Sequence, residues 1–267
     1  MSRRVTPSML RQWKQEGRKI SALTSYDFPT AQVVDKAGID IVLVGDSVGT
    51  AVLGLPDTVG VTMDAMIHHA QAVSRGVERA MVVGDMPFLS YHLSTARAMR
   101  NGARFLQEGG CQAVKLEGPR PAVVEAMTDA GIPVMGHLGL LPQRLRLTGS
   151  YRIAGRSAEE GALLLQHAKE LEQAGCFSIV LECVMPEPAG EITAALSIPT
   201  IGIGAGPHCD GQILVLHDIL GLSGPRVPRF VRRYADVRDV IHNAVSAYAD
   251  DVLQGRFPAS HETYSEE

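Results

Sequence analysis

Three carboxylates in this chain share one local context. Asp46 closes the run Val42-Leu43-Val44-Gly45-Asp46, Asp85 closes Met81-Val82-Val83-Gly84-Asp85, and Glu117 follows Val114-Lys115-Leu116. Each stands where a short apolar run stops, and the first two runs are near copies. If the runs are neighbouring parallel strands, three negative charges converge at one end of a sheet and repel one another. A hard divalent cation relieves that repulsion. All-oxygen ligation suits Mg²⁺, which keeps several waters that substrate oxygens can replace. Zinc is disfavoured, because no His or Cys cluster with ligand spacing is present. The plainer alternative is that an Asp after a strand caps the next helix. Three such residues on consecutive strands favour the metal.

Lys115 lies two residues before Glu117, so both point to the same side of one strand. It could balance the acids, bind a substrate carboxylate, or simply pair with Glu117. A Schiff-base role is disfavoured, since nearby carboxylates would keep the amine protonated. Glu182 ends Val180-Leu181-Glu182-Cys183 on a strand facing the other three, where it is placed to take a proton. His137, in Gly136-His137-Leu138-Gly139, reads as a secondary site residue. His68 and His69 sit in a helical stretch without an HExxH pattern and read as surface or packing residues. Gly202-Ile203-Gly204-Ala205-Gly206 begins like a dinucleotide fingerprint, but Pro207 stands where the third Gly belongs. It reads as a tight loop at a ligand-binding mouth, with a phosphate grip as the alternative.

These residues need a frame that carries strand ends to one place. Apolar runs over residues 19–23, 39–44, 80–83, 112–116, 132–135, 177–181, 199–202 and 213–216 read as eight strands. Helical patterns over 29–37, 63–75, 95–108, 121–130, 158–174 and 188–196 separate most of them. Regular alternation of this kind predicts a parallel sheet, and eight strands without an edge predict a closed (β/α)₈ barrel. Catalytic groups of such barrels sit at the C-terminal strand ends, where Asp46, Ser47, Asp85, Lys115, Glu117, His137 and Glu182 fall. Thr6-Pro7 reads as an N-cap followed by Pro at N1, with Met9, Leu10 and Trp13 on one face and Gly17 as the stop: a helix that plugs the barrel floor. Asp236 reads as the cap of a C-terminal helix with Val237, Val240, Ile241, Ala244, Val245, Tyr248 and Val252 at helical spacing, ended by Gly255 and Pro258. The expected organisation is one domain over residues 1–258 and a polar, disordered tail over 259–267.

Composition narrows the classes. The chain has 267 residues, 45% hydrophobic and 20% charged, with only 5% aromatic, so the core must be aliphatic. Met63, Met66, Met81, Met86, Met127 and Met135 read as core fillers. Lys and Arg total 25 against 29 Asp and Glu, which gives a nucleic-acid partner no electrostatic support. No apolar run is long enough to span a bilayer and no secretory h-region is visible, so a cytoplasmic location without membrane attachment is expected. Cys111, Cys176, Cys183 and Cys209 form no CxxC pair and read as reduced thiols.

The ordered set of strand-end segments resembles one family, the ketopantoate hydroxymethyltransferases of pantothenate biosynthesis. It runs through Leu23-Thr24-Ser25-Tyr26-Asp27, Val44-Gly45-Asp46-Ser47-Val48-Gly49, Val61-Thr62-Met63-Asp64 and Gly84-Asp85-Met86-Pro87-Phe88. It continues through Val114-Lys115-Leu116-Glu117-Gly118, Gly136-His137-Leu138-Gly139-Leu140, Leu181-Glu182-Cys183, Ile201 to Gly206 and Asp210-Gly211-Gln212-Ile213. The resemblance implies a Mg²⁺-dependent barrel that transfers a one-carbon unit from 5,10-methylenetetrahydrofolate to 3-methyl-2-oxobutanoate. It implies Asp46, Asp85 and Glu117 as metal positions. Asp46, Ser47, Asp85 and Lys115 would hold the keto acid, and Glu182 would be the general base. It further implies a homo-oligomer, often a decamer. The chain departs from the family pattern at Leu141, at Ser150 before Tyr151, and in the Pro207-His208-Cys209 stretch, all on the expected folate side.

That chemistry agrees with the residues. A 2-oxo acid chelates Mg²⁺, which stabilises the enolate formed when C3 loses its proton to Glu182, while Lys115 holds added negative charge. Two rivals remain. One is a Mg²⁺-dependent lyase or mutase of the phosphoenolpyruvate mutase and isocitrate lyase type, although this chain lacks the Cys-Gly-His loop usual there. The other is a non-catalytic barrel, which has no need of Glu182 opposite the metal.

Overall fold

The computed structural model describes residues 4–149, 152–224 and 227–264. Eight parallel strands close into a barrel in sequence order: β1 (Ile20–Thr24), β2 (Ile41–Val44), β3 (Met81–Asp85), β4 (Ala113–Lys115), β5 (Val134–Gly139), β6 (Ser178–Glu182), β7 (Thr200–Ile203) and β8 (Gly211–Leu214), with β8 pairing back to β1. The helices α1 (Pro7–Gln15), α2 (Phe28–Lys36), α3 (Val48–Ala51), α4 (Met63–Gly76), α5 (Thr95–Gln107), α6 (Pro121–Asp129), α7 (Leu145–Thr148), α8 (Ala158–Gln173) and α9 (Pro186–Ala195) belong to the same unit. The (β/α)₈ barrel expected from the sequence is the fold observed.

Most strand limits shift by a residue or two. The consequential shift is β5, which starts at Val134 rather than 132 and runs on to Gly139, so His137 lies inside the strand. β8 ends at Leu214, and Leu216 already starts a short helix, α10 (Leu216–Ile219). The apolar runs flagged β2 and β8 correctly, but a run gives no sign of where the ladder hydrogen bonds stop.

Side chains alternate across each strand, and one set fills the barrel. Ile20, Ala22, Ile41, Leu43, Met81, Val83, Ala113, Met135, Val180, Ile201 and Ile213 form a single buried cluster. α1 closes its floor: Leu10 is fully buried in that cluster and Trp13 packs against it. Thr6 accepts a hydrogen bond from the Met9 N–H, with Pro7 at the first helical position, and Gly17 turns the chain at φ +70°. On the outer face, Gly84 lets α5 close on β3: a Cβ there would meet the Phe105 ring at 2.2 Å. Of the methionines expected to fill the core, Met66, Met81, Met86, Met127 and Met135 are fully buried and Met63 is half-buried. The four cysteines are free thiols.

Within the chain, Met1–Val215 and Leu216–Glu267 form two compact units, and the single domain over 1–258 read from the sequence spans all of the first and part of the second. The second holds α10 and α11 (Val237–Leu253). Within it, the Tyr234 N–H bonds to the Ile219 carbonyl at 2.7 Å and the Val237 N–H to the Leu220 carbonyl at 2.9 Å. Asp236 occupies the N-cap position of α11, but its carboxylate accepts no backbone cap bond and instead accepts from Arg233 at 3.0 Å. Val240, Ile241, Val245, Tyr248 and Val252 share the helix as the spacing predicted, yet all are exposed. Within the tail expected to be disordered, Ser260–Glu262 forms a 3₁₀ turn tied by Glu262 to the Ala259 N–H at 2.7 Å; residues 265–267 lie outside the described residues. No helix of the described residues is long and apolar enough to cross a membrane.

Candidate active site at the C-terminal strand ends

The barrel's period-2 alternation carries its inward positions from apolar to polar as each strand ends. On β3 the inward series is Met81, Val83, Asp85; on β4 and just past it, Ala113, Lys115, Glu117; on β5, Met135, His137; on β6, Ser178, Val180, Glu182. The register pairs Asp85 with Lys115, His137 with Val180 and Gly139 with Glu182, so these groups occupy adjoining staves. Asp46 arrives from the turn after β2, where its own N–H donates to Asp85 Oδ2 at 3.1 Å. Asp46, Asp85, Lys115, Glu117 and His137 are all buried.

Helix capping does not explain the three acids. α2, α4, α5 and α8 are capped by Asp27, Thr62, Ser94 and Ser157, and Ser47 rather than Asp46 begins α3. Nor does Lys115 form a plain pair with Glu117. Its Nζ lies 2.7 Å from Asp85 Oδ1, and 3.4 Å from His137 Nδ1. His137 Nε2 is 3.1 Å from Glu182 Oε2, a contact whose angle is poor for a hydrogen bond, and His137 Nδ1 is 3.8 Å from Glu117 Oε1. His137 therefore joins the base candidate to the acid cluster. Ser47 Oγ shares a hydrogen bond of 2.9 Å with Tyr26 Oη.

Two residues that sequence reasoning missed hold the cluster together. Gln143, in the 3₁₀ turn Pro142–Arg144, donates through Nε2 to Asp46 Oδ2 at 2.9 Å and to the Met86 carbonyl at 3.0 Å. Its backbone N–H donates to Glu117 Oε2 at 3.2 Å. Tyr91 accepts from the Glu117 N–H at 3.1 Å and donates to Gln143 Oε1 at 2.7 Å. Both are buried. Neither ends a strand, so no positional signal in the sequence marks them.

The electrostatics follow from burial and crowding. Burial, then Asp85 beside it, pushes the Asp46 carboxyl up to about 7. Burial also raises Glu117 well above the usual range, with Asp46 and Asp85 adding to it and Lys115 opposing. Burial alone would lower Lys115, but Asp85, Glu117 and Asp46 outweigh it and hold the amine above its ordinary value, so it stays charged. Burial, followed by Lys115, lowers His137 and keeps its imidazole neutral.

Among the described residues, no three His, Cys, Asp or Glu side chains are gathered closely enough to hold an ion as they stand. The physical reason is visible: Asp46 is turned to Gln143, Asp85 to Lys115 and Glu117 to the Gln143 N–H. The donor set still suits a divalent cation. Glu117 Oε1 and Asp85 Oδ1 are buried with no hydrogen bond, although Asp85 Oδ1 carries the Lys115 ion pair. Mg²⁺ is commonly held by one or two carboxylates with the remaining positions filled by water and substrate. Glu117 Oε1 faces no protein donor and Gln143 engages only Oδ2 of Asp46, whereas both Asp85 oxygens are engaged, Oδ2 by the Asp46 N–H and Oδ1 by Lys115.

Other sequence expectations resolve simply. His68 is exposed, and His69 bonds through Nδ1 to the Tyr26 carbonyl at 2.7 Å. The 202–206 loop is tight: Gly204 and Gly206 adopt φ +63° and +78°, and Gln212 Nε2 donates to the Gly206 carbonyl at 3.0 Å. Ser150 and Tyr151 lie outside the described residues.

Comparison with known proteins gives the fold's neighbours and the family. Structural neighbours include a phosphonopyruvate hydrolase (12% identity, TM-score 0.64, covering 98% of this chain and 92% of that one). They also include 2,3-dimethylmalate lyase of the PEP mutase/isocitrate lyase superfamily (16%, TM-score 0.61, 97% and 92%). At such identity the likeness is one of fold. Sequence relatives are much nearer. The protein of Thermoanaerobacter sp. (strain X514) named 3-methyl-2-oxobutanoate hydroxymethyltransferase is 51% identical over 99% of this chain and 97% of its own length. That of Prosthecochloris aestuarii, with the same name, is 53% identical over 97% and 96%. Residues 4–260 match the model of one family, and the chain belongs to it: ketopantoate hydroxymethyltransferase.

Proposed function

We propose that this protein is a 3-methyl-2-oxobutanoate hydroxymethyltransferase, which moves a one-carbon unit from 5,10-methylenetetrahydrofolate to 3-methyl-2-oxobutanoate to give ketopantoate. Family membership supports the reaction. The observation that carries the residue roles is the buried Asp46–Asp85–Lys115–Glu117 cluster joined through His137 to Glu182. A pure binding barrel needs a charge complement for its ligand; it does not need a second carboxylate held against that complement by a neutral imidazole.

Asp46, Asp85 and Glu117 would hold Mg²⁺, which when bound supplies Lewis-acid polarisation of the keto group and makes the C3 proton acidic. Lys115, charged and buried, neutralises the keto-acid carboxylate and the negative charge that develops in the transition state. Ser47, beside Asp46, offers a hydroxyl to the bound acid. Glu182 takes the C3 proton, with His137 Nε2 packed against it at 3.1 Å. C3 then joins the folate's methylene carbon. Over the whole reaction the C3–H bond and both bonds from the methylene carbon to folate nitrogens break, a C–C bond and a C–O bond to one water form, and the proton from C3 and one from the water go to the two nitrogens, leaving ketopantoate and tetrahydrofolate. A cleft of about 560 Å³ lined by Leu140, Leu141, Arg144, Ile153 and Leu163 adjoins the turn that carries Gln143, and offers apolar walls and a cation to part of the folate. The exposed apolar face of α11 supports assembly as a homo-oligomer, with the decamer as the expected form. A biosynthetic role of this kind fits the cytoplasm.

The test is direct. Purified protein with 3-methyl-2-oxobutanoate, methylenetetrahydrofolate and Mg²⁺ should form ketopantoate. Glu182→Gln should keep keto-acid binding and stop exchange of the C3 proton with solvent deuterium. Undiminished exchange in that variant removes Glu182 as the base; turnover of a phosphonate or hydroxy diacid with no ketopantoate overturns the reaction.

A further inference from the structure

The pair Gln143–Tyr91 takes part in no chemical step, yet it hydrogen-bonds to both Asp46 and Glu117. Gln143 is 4% exposed and fully satisfied. Its two amide hydrogens go to Asp46 Oδ2 and the Met86 carbonyl, its Oε1 accepts from Tyr91, and its backbone N–H reaches Glu117 Oε2. The amide could in principle be flipped, with oxygen toward Asp46. The Met86 carbonyl forbids this: it can only accept, so the amide end that faces it at 3.0 Å must be the NH2, and the oxygen end then accepts the Tyr91 proton at 2.7 Å while the phenol oxygen accepts the Glu117 N–H. Arg120 stacks over the Tyr91 ring with Cζ 5.6 Å from its centre, which fixes the phenol from above.

The turn that delivers Gln143 is built for the purpose. Gly139 adopts φ +95°, and a Cβ there would lie 2.2 Å from the Glu182 carbonyl oxygen. The Leu140 N–H bonds to that same oxygen at 2.7 Å, and Pro142 then opens the 3₁₀ turn. The strand that carries His137 thus doubles back over the barrel mouth. One glutamine spans carboxylates from the β2 and β4 staves, and the two are held at a fixed separation by its side chain and its own backbone.

We propose that Gln143 is a positioning residue for the divalent-cation site, and that Tyr91 acts as the lock on its orientation. By occupying Asp46 Oδ2 and Glu117 Oε2, the glutamine leaves the opposite oxygen of each carboxylate for the cation. It also supplies donors that offset part of their mutual repulsion while no cation is bound. The inference rests on the reading of Asp46 and Glu117 as metal positions, but it is measured separately from the reaction.

The experiment is Mn²⁺ binding to the folate-free protein in the presence of 3-methyl-2-oxobutanoate, by calorimetry and by the electron paramagnetic resonance of bound Mn²⁺. Wild type, Gln143→Asn, Gln143→Leu and Tyr91→Phe are compared, each with its thermal midpoint. Partners in the shell behind metal ligands commonly change affinity by about 10–100-fold. Gln143→Leu should weaken Mn²⁺ binding within that range and broaden the Mn²⁺ spectrum. Gln143→Asn, one methylene short of Asp46, should behave the same way. Tyr91→Phe should give a smaller loss, since Gln143 is kept but unlocked. Variants that lose thermal stability while binding Mn²⁺ with wild-type affinity and spectrum would show a purely structural role and overturn the proposal. Absence of Mn²⁺ binding by wild type would overturn it too. Failure of wild type to make ketopantoate, with Mn²⁺ affinities still ordered as stated, would sink the reaction and leave the positioning role standing.

Discussion

Asp46→Asn should remove one contribution by which rising pH destabilises the metal-free protein. In the fold the Asp46 carboxyl is raised from an ordinary 3.8 to about 7 by burial and by Asp85. A raised carboxyl binds its proton more tightly folded than unfolded. Below pH 4 both states are protonated and the residue costs nothing. Between pH 4 and 7 the unfolded chain ionises first, so stability falls as pH rises, and above 7 the full cost is in place. About three pH units at ~1.4 kcal/mol each make that cost about 4 kcal/mol. For a protein of this size the cost corresponds to a loss of about 8–16 °C in the unfolding midpoint. Glu117, raised by burial and also by Asp46, moves the same way and eases when Asp46 is neutral. Melting both proteins in chelator from pH 4.5 to 8.5 tests this. The gap between Asp46→Asn and wild type should open in favour of the variant across that window. Millimolar Mg²⁺ at pH 8 should close it by raising wild type alone. A gap that stays flat with pH would refute the argument, because it would mean that the Asp46 charge is not confined by the fold.

Three further outcomes follow from the same geometry. Lys115→Met leaves Asp85 buried without its partner at 2.7 Å, so unfolding free energy should drop by about 3–5 kcal/mol and keto-acid binding should be lost in calorimetry. Gly139→Ala forces a methyl against the Glu182 carbonyl at a positive φ; a loss of about 3 kcal/mol or more in urea unfolding is expected, whereas a neutral substitution would mean that the turn is not fixed. Leu10→Ala empties a fully buried position in the barrel floor and should cost about 2–5 kcal/mol with keto-acid binding unchanged, because the floor is at the opposite end from the site.

Much of this was legible because a barrel strand has a strict period of two. Met81 and Val83 point inward, so Asp85 must; Ala113 points inward, so Lys115 and Glu117 must. The alternation that builds the core therefore also carries these polar side chains to one end of the barrel, so finding the core locates the candidate cluster. Helix signals were equally local: Thr6 and Pro7 start α1 as their types require. What stayed hidden depends on contacts across the fold. Gln143 is one of the chain's glutamines until the Gly139 turn folds back over the mouth and lays it on Asp46, far away in sequence. Tyr91 sits in a loop with no period at all. The ion pair of Lys115 with Asp85 in preference to Glu117 was likewise a matter of register, since β3 and β4 set those two residues side by side.

The same logic accounts for why the acids tolerate one another. Three buried carboxylates beside one lysine leave an excess of negative charge in a low-dielectric mouth, which no barrel core would keep for stability. Protein donors offset part of it: the Asp46 N–H serves Asp85, the Gln143 amide serves Asp46, and the Gln143 N–H serves Glu117. Proton uptake offsets more, as the raised Asp46 and Glu117 record. The remainder is a standing demand for positive charge at the C-terminal end of the barrel strands. A cation that meets this demand displaces those protons, and the site's affinity for it must therefore fall as pH drops below about 7. The cost that destabilises the metal-free fold and the attraction that would bind the metal are one quantity, seen from the two sides of the same equilibrium.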